Sequence, residues 1–311
     1  MKTEKKNKPS GILIVDKPAD ISSAGVVARI KRAFGLRKVG HGGTLDPFAT
    51  GLLILGINQG TRLSRFFLHE EKSYEAELLL GVDTDTQDAT GSVTNRFEDP
   101  KKIAQLSLGT IESVLASFVG PQKQLPPVYS ALKHNGVPLY KLARKGTPIQ
   151  KPPRDINILA IKLISTALPS IRFSVSCSAG TYIRTLAADI GEKLGFGAHL
   201  TALRRTSTCG FGIERATPFE ALEALALTGG IEKKLMGLSD AVEHLPVHMA
   251  DAHLAARIAV GGPLGVGSGI VPPPVATEGF IRIINPENRL LAVVSFKKAS
   301  DQYDYCCVFN N

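Results

Sequence analysis

Apolar residues recur along this chain in two rhythms, unbroken runs and spaced stripes, and each rhythm predicts its own kind of element. The run Gly11 to Val15 reads as a short buried strand ended by Asp16-Lys17-Pro18. Ser22 and Ser23 then offer oxygen caps to a helix with Val26, Val27, Ile30 and Phe34 on one face, and Gly35 ends it. A Gly-, Thr- and Pro-rich loop, Gly40 to Gly51, leads into a second apolar run, Leu52 to Ile57, and a short basic helix through Phe66 and Phe67. Alternation in Ser73 to Leu80 predicts a sheet-edge or hairpin strand, with Ser92 to Phe97 as its partner across a Gly- and Asp-rich connection.

Helical spacing returns at Leu108, Ile111, Leu115, Phe118 and Val119, capped by Ser107 and stopped by Gly120-Pro121. Residues 121–154 are proline-rich and show only one short helix-like piece, Leu139 to Arg144. A segment that long is functional or disordered, and its interleaved Tyr129, His134 and Tyr140 favour function. Strands around Ile156 to Ile164 and Ile171 to Ser178 follow, then a helix with Leu186, Ile190 and Leu194 on its buried stripe. Thr217-Pro218-Phe219-Glu220 has the form of a capping box, so a further helix is expected there. After about Pro246 the texture changes to short strands punctuated by Gly and Pro, which continue to Phe309. The division expected is a basic tail at 1–10, a large α+β domain at 11–245 with an insertion at about 121–154, and a small β-rich domain at 246–311.

Composition narrows the class. With 311 residues, 43% hydrophobic and 21% charged, the chain can bury a core and is neither collagen-like, mucin-like nor wholly disordered. No apolar stretch approaches the roughly 18 residues of a membrane helix, and the Lys-rich N-terminal decapeptide lacks the hydrophobic segment of a signal peptide. Cysteines stand at 177, 209, 306 and 307, without a CxxC pair or the density of a disulfide scaffold. A reducing cytoplasm is the expected location, and the Cys306-Cys307 doublet is read as packing.

Charge adds a location. The formal balance is +9, but it is regional. From Ile21 to His69 there are seven bases and a single acid, Asp46. Residues 121–154 carry seven more (Lys123, Lys133, Lys141, Arg144, Lys145, Lys151, Arg154) and no acid, whereas from Arg215 onward eight bases face ten acids. A surface that is basic only for solubility mixes signs; exclusion of carboxylates suits a phosphate backbone. Two segments are therefore expected to line a polyanion.

Several motifs fail on inspection. Gly265-Val266-Gly267-Ser268-Gly269 lacks the helix a dinucleotide site needs and runs toward Pro272-Pro273-Pro274. Asp83, Asp85 and Asp88 resemble a calcium loop, but Asp88 falls where that loop needs glycine and Thr94 where it needs glutamate, so a turn with local Asp bonds is expected. GxSxG, the P-loop lysine and HExxH do not occur, and the seven histidines are scattered, so no metal site is expected.

What remains is Gly40-His41-Gly42-Gly43-Thr44-Leu45-Asp46-Pro47-Phe48-Ala49-Thr50-Gly51. Asp46 is a lone carboxylate among cations, which favour its charged form and make it available as nucleophile or base; on spacing alone it could equally be a turn aspartate before proline. This loop resembles the catalytic motif of the TruB family of pseudouridine synthases. Gly11 to Pro18 is similar to the family's first motif, and Lys72-Ser73-Tyr74 to the strand with its base-stacking tyrosine. Gly81 to Gly91 resembles the GxxTDTxDxxG turn, Gly180 to Leu186 the arginine motif, and His199 to Arg205 the strand that closes the pocket. These ordered matches span roughly residues 11 to 210.

The resemblance implies a pseudouridine-synthase fold, α+β, with a mixed and mainly antiparallel central sheet flanked by helices and a PUA-like C-terminal domain. It implies isomerisation of the T-loop uridine, position 55, of transfer RNA, without cofactor or metal. By the same resemblance Asp46 is the catalytic aspartate, Arg184 its ion-pair partner through a bidentate bond, and Tyr74 the ring stacked on the uracil. Tyr182 and Leu203 are pocket walls, His41 helps hold the nucleotide extruded, and Lys17 belongs to the substrate-binding set although a structural role suits it better. Lys133, Lys141, Arg144 and Lys145 become a cationic flap over the RNA T-arm. Gly42 departs from the family, where threonine often follows the histidine, an exchange expected to loosen the loop. The protein is expected to act as a monomer, with no obligatory protein partner and no membrane. Two alternatives stay open: an RNA-binding or tRNA-folding chaperone without essential catalysis, and a guide-RNA-dependent synthase of the dyskerin type.

Overall fold

A computed structural model describes residues 9–68, 70–265, 269–270, 279–297 and 302–309. The basic tail up to residue 8 and most of the Gly265 to Pro274 stretch lie outside the described residues. The first half contributes strands β1 (Gly11–Lys17), β2 (Val39–His41), β3 (Thr50–Ile57), β4 (Lys72–Leu80), β5 (Val82–Thr84) and β6 (Val93–Arg96). Helices α1 (Ser23–Ala33), α2 (Arg65–Leu68), α3 (Pro100–Ala104) and α4 (Leu108–Ala116) lie among and after them. Next come β7 (Gly120–Gln124), β8 (Lys133–His134), β9 (Val137–Pro138), α5 (Leu139–Arg144), β10 (Arg154–Ala167), β11 (Ser170–Cys177), α6 (Ile183–Lys193) and β12 (Ala198–Thr208). The remainder is β13 (Phe211–Gly212), β14 (Thr217–Pro218), α7 (Phe219–Thr228), β15 (Val247–Met249), α8 (Ala252–Ala259), β16 (Leu264–Gly265), β17 (Phe280–Ile284), β18 (Leu290–Lys297) and β19 (Gln302–Val308).

A ten-stranded sheet runs β14-β1-β3-β12-β4-β11-β10-β7, with β2 added on β3 and β13 on β12. Only β14/β1 and β3/β12 are parallel, so the sheet is mixed and mainly antiparallel. A second sheet, β15-β17-β18-β19-β16, forms the C-terminal β-rich domain.

The apolar runs become intelligible once both faces of the sheet are followed. In β1, Leu13 and Val15 enter one core with Val26 and Ile30 of α1, while Ile12 and Ile14 enter another. Likewise β3 sends Leu53, Leu55 and Ile57 one way and Leu52 and Ile54 the other. The second core also contains Ile284, Leu290, Val293 and Phe309, so the C-terminal domain is fused to the back of the main sheet through shared apolar contact. Cys306 and Cys307 pack against this same core as free thiols. Each such Leu or Ile contributes about 1.5–3 kcal/mol on burial, which is why polar residues are excluded from both faces here.

Three expectations are corrected. β4 is neither an edge nor a hairpin partner of Ser92 to Phe97: it lies between β12 and β11, and β6 pairs with β5 instead. Alternation reports which face is covered and says nothing about neighbours in the sheet. The capping box does not form, because Thr217 and Pro218 are taken by pairing with β1, leaving the start of α7 without a side-chain cap. Helix α4 ends at Ala116, and Val119 is exposed. By contrast Ser22 caps α1, its side chain accepting from the Gly25 amide at 3.0 Å. The Asp-rich segment is a turn: Asp88 accepts from the Thr90 amide at 3.0 Å and Asp85 from the Ser92 amide at 2.8 Å.

Asp189 on α6 is raised to about 6 by burial and by the nearby charge of Glu192. The folded protein therefore binds its proton more tightly than the unfolded chain, so its contribution to stability is full below pH 3.8 and is lost as pH rises through 6. Asp189→Asn is expected to raise Tm at pH 7.5 and to leave it unchanged near pH 4. Thermal unfolding at the two pH values checks this, and an equal gain at both would contradict it.

Candidate active site

Asp46 sits between β2 and β3 on a loop fastened from below. Ser23 Oγ accepts from the Leu45 amide at 2.8 Å and donates to the Leu45 carbonyl at 3.0 Å. Lys17, fully buried, donates from Nζ to the carbonyls of Pro18 and Ile21 at 2.7 Å and of Pro47 at 3.0 Å. Burial pulls its pKa down to about 8, against the charges of Asp20 and Asp46. Lys17 is thus placed as a strut of the loop rather than a group that reaches substrate. The loop closes where Gly51, at φ 101°, passes β12 so tightly that a Cβ there would lie 2.3 Å from the Arg205 carbonyl oxygen. An L side chain would meet both the left-handed backbone and that contact.

Arg184, in the first turn of α6, is 2% exposed. Its Nε donates to Asp46 Oδ2 at 2.9 Å, Nη1 to the Thr86 carbonyl at 2.5 Å and Nη2 to the Tyr129 carbonyl at 2.8 Å. Asp88 Oδ2 lies 3.6 Å from Nη1. The fork expected to grip Asp46 with two bonds gives it only one, because the other two nitrogens are committed to backbone carbonyls. Among the described residues no side chain is bonded to the other Asp46 oxygen, and the Asp46 side chain remains 36% exposed.

Asp46 opens into a cleft of about 380 Å³, with Tyr74, Tyr182, Leu203 and Arg184 among its walls. Tyr74 projects from β4 and Leu203 from β12, both nearly buried. Tyr182 is held at the start of α6 by Gln124, which accepts from its amide at 2.8 Å and donates to its carbonyl at 2.9 Å. Arg154 lies 5.2 Å over the Tyr182 ring. Burial of Tyr74, opposed by Arg205, raises its hydroxyl pKa.

His41 stands at the end of β2 outside this cleft, with Nδ1 buried and, among the described residues, unpartnered; burial and Arg205 lower its pKa. Gly42 beside it does not loosen the loop: the space a Cβ would take is filled by Phe67, 2.8 Å away. Lys133, Lys141, Arg144 and Lys145 are exposed on the β8–β9 hairpin and α5. The segment that carries them is folded, with β7 paired to β10 and Leu139 fully buried.

These features coincide with a known family. Residues 31–183 match the N-terminal domain model of the TruB family pseudouridylate synthases, and residues 184–245 the C-terminal domain model of tRNA pseudouridylate synthase B. The chain belongs to the TruB family. It is 48% identical over 237 residues to a tRNA pseudouridine synthase B of Syntrophotalea carbinolica, covering 76% of each chain. It is 43% identical to that of Geobacter sulfurreducens, covering 84% of this chain and 86% of the relative. Among solved structures, a Cbf5-Nop10-Gar1 complex aligns with a TM-score of 0.74 at 26% identity, covering 96% of this chain and 85% of that one.

Four groups of this TruB family site carry no individual signal in the sequence. Gln124, Lys72 and Arg205 are ordinary polar residues until the fold buries them, and Ser130 to Leu132 join the cleft wall only because the insertion folds back. Arg184→Lys is expected to lower the single-turnover rate on the order of 100-fold while changing RNA affinity little, since one ammonium cannot serve Asp46 and two carbonyls together. Rapid-quench kinetics at saturating enzyme check this; an unaltered rate would remove the ion pair from the mechanism.

Proposed function

We infer that this chain isomerises a uridine of transfer RNA to pseudouridine, acting on position 55 of the T-loop. One observation carries the reading: a partly exposed carboxylate, fixed by a buried guanidinium, at the wall of a cleft lined by Tyr74, Tyr182 and Leu203. The reaction breaks the bond from C1′ to N1, turns the base and joins C1′ to C5. It needs an anion beside the sugar, which Asp46 supplies by attack at C1′ or by taking the C2′ proton. Fixing that anion before the substrate arrives removes the cost of orienting it during the reaction.

A uridine inside a folded T-loop must leave its stack to reach such a cleft, at a cost of a few kcal/mol. Tyr74 stacked on the uracil returns about 1–3 kcal/mol, so contacts around the extruded nucleotide, to which His41 is assigned, are needed to complete the exchange. Lys133, Lys141, Arg144 and Lys145 contact the T-arm backbone, which orients the RNA without reading its bases. The five-stranded C-terminal sheet with α8 is read as PUA-like. The enzyme acts in the cytoplasm as a monomer without a guide RNA. Relatives named tRNA pseudouridine synthase B stand at 41–48% identity, against 25–26% for the H/ACA neighbours, and the folded basic insertion gives the protein its own grip on RNA.

Asp46→Asn is expected to bind tRNA as the wild type does and to release no tritium from C5-labelled uridine; release at the wild-type rate would refute the assignment. Replacing Lys141, Arg144 and Lys145 together by Ala is expected to weaken binding and to flatten the plot of log affinity against log salt by about 0.7–0.9 for each phosphate no longer neutralised. Identical slopes would take the flap out of the RNA footprint.

A further inference from the structure

Two cations in the cleft are buried without an anion. Arg205 is 1% exposed and Lys72 9%, and both line the same cleft as Asp46 and Tyr74. Among the described residues neither forms an ion pair. Their hydrogen-bond partners are all uncharged. Arg205 Nε donates to the Leu52 carbonyl at 2.7 Å, Nη1 and Nη2 approach the carbonyls of Thr44 and Gly43 at 3.5 Å each, and the guanidinium also bonds the Tyr74 hydroxyl. Lys72 Nζ donates to the Glu70 carbonyl at 2.7 Å and the Leu68 carbonyl at 3.4 Å. The two side chains converge on one place, since a Cβ on Gly43 would lie 3.7 Å from Arg205 Nη1 and 4.0 Å from Lys72 Cε.

Burying one charge costs several kcal/mol unless a counter-charge or a full set of hydrogen bonds offsets it, and two like charges together cost more. Burial and the charge of Arg205 push the Lys72 pKa down, against Cys209, Cys177 and Glu70, which favour its charged form. Such an arrangement is complete only when an anion enters. Under the function proposed above the uracil stacks on Tyr74, and the same cleft places Arg205 and Lys72 beside that ring.

We propose that Lys72 and Arg205 are catalytic residues that hold the negative charge the uracil ring acquires during the reaction. When N1–C1′ breaks, its electron pair stays on N1 and spreads to O2 and O4. C1′ is satisfied by a bond to Asp46 or by loss of the C2′ proton to it. When C5 bonds to C1′, that ester bond breaks or that proton returns, C5 gives up its own proton, and N1 takes one up. Between the two bond changes the free base is an anion, and a preorganised pair of buried cations lowers its energy where it forms. The assignment rests on Asp46 as the group that acts on the sugar.

The test uses the full chain and tRNA transcripts carrying uridine or 5-fluorouridine at the target position, with Kd and the single-turnover rate at saturating enzyme both measured. Lys72→Met is expected to slow consumption of the uridine transcript on the order of 100-fold with Kd unchanged, and Lys72→Arg to recover most of the loss. The defect should shrink with 5-fluorouridine, because fluorine already stabilises the departing anion. A weaker Kd with an unchanged saturating rate would mean that the cations bind phosphate, and equal defects on both transcripts would mean that they only position the loop; either overturns the proposal. Arg205→Gln is tested alongside, and Lys72 alone decides the matter if that variant does not fold. Failure of the wild type to form pseudouridine would instead strike at the function proposed above.

Discussion

The guanidinium of Arg184 gathers three segments that are remote in sequence: the loop of Asp46, the turn at Thr86 and Asp88, and the insertion at Tyr129. A charge this deeply buried is tolerable only when it is paired and hydrogen-bonded, and its ion pairs and hydrogen bonds come from all three segments. The turn, for its part, is fixed by Asp88, whose carboxylate accepts from Thr86 Oγ1 at 2.7 Å and Thr90 Oγ1 at 2.6 Å. The site therefore does not depend on a flexible loop finding its position. Its geometry follows from satisfying one buried cation.

That cation explains a feature of the insertion that charge counting alone misses. Residues 121–154 do more than present bases to an RNA, because Gln124 clamps Tyr182 at the head of α6 and the Tyr129 carbonyl receives Arg184. The segment proposed above to grip the RNA is thus also one that braces the cleft, and it does so through the Gln124 side chain and the Tyr129 carbonyl rather than through its exposed lysines.

How much of this was legible beforehand depended on whether the signal was local. The Ser22 cap, the α1 and α6 stripes, the short helix Leu139–Arg144 and the apolar runs of β1 and β3 were legible, because each is set by residues within a few positions of one another. Strand neighbours were not: the alternation of β4 says that Tyr74, Ala76 and Leu78 share a face, but its central place depends on β11 and β12, about a hundred residues away. Thr217 failed as a cap for the same reason, losing to a strand some two hundred residues earlier. In the site, Asp46 stood out as the lone acid in a basic stretch, whereas Arg184 was separated from other arginines only by a family resemblance. Lys72 and Arg205 fell inside motifs that resemble the family's, but no role attached to them, since a charged residue acquires meaning from burial, and burial is a property of the fold.

Gly42 shows how far such long-range constraints reach. Read locally, a glycine in place of threonine adds freedom to the loop. In the fold, Phe67 occupies the space its side chain would take, and the neighbouring Phe66 stacks edge-on against Phe280 of the C-terminal domain at 5.0 Å. Arg65 lies over both of those rings, and Arg62 donates to the Val308 carbonyl. One short helix therefore touches the loop next to His41 with one aromatic ring and the second sheet with the next. A glycine that would loosen a solitary loop here admits a bulky neighbour that braces it, and the brace is anchored in the C-terminal domain. The missing side chain is compensated by packing drawn from the other end of the chain.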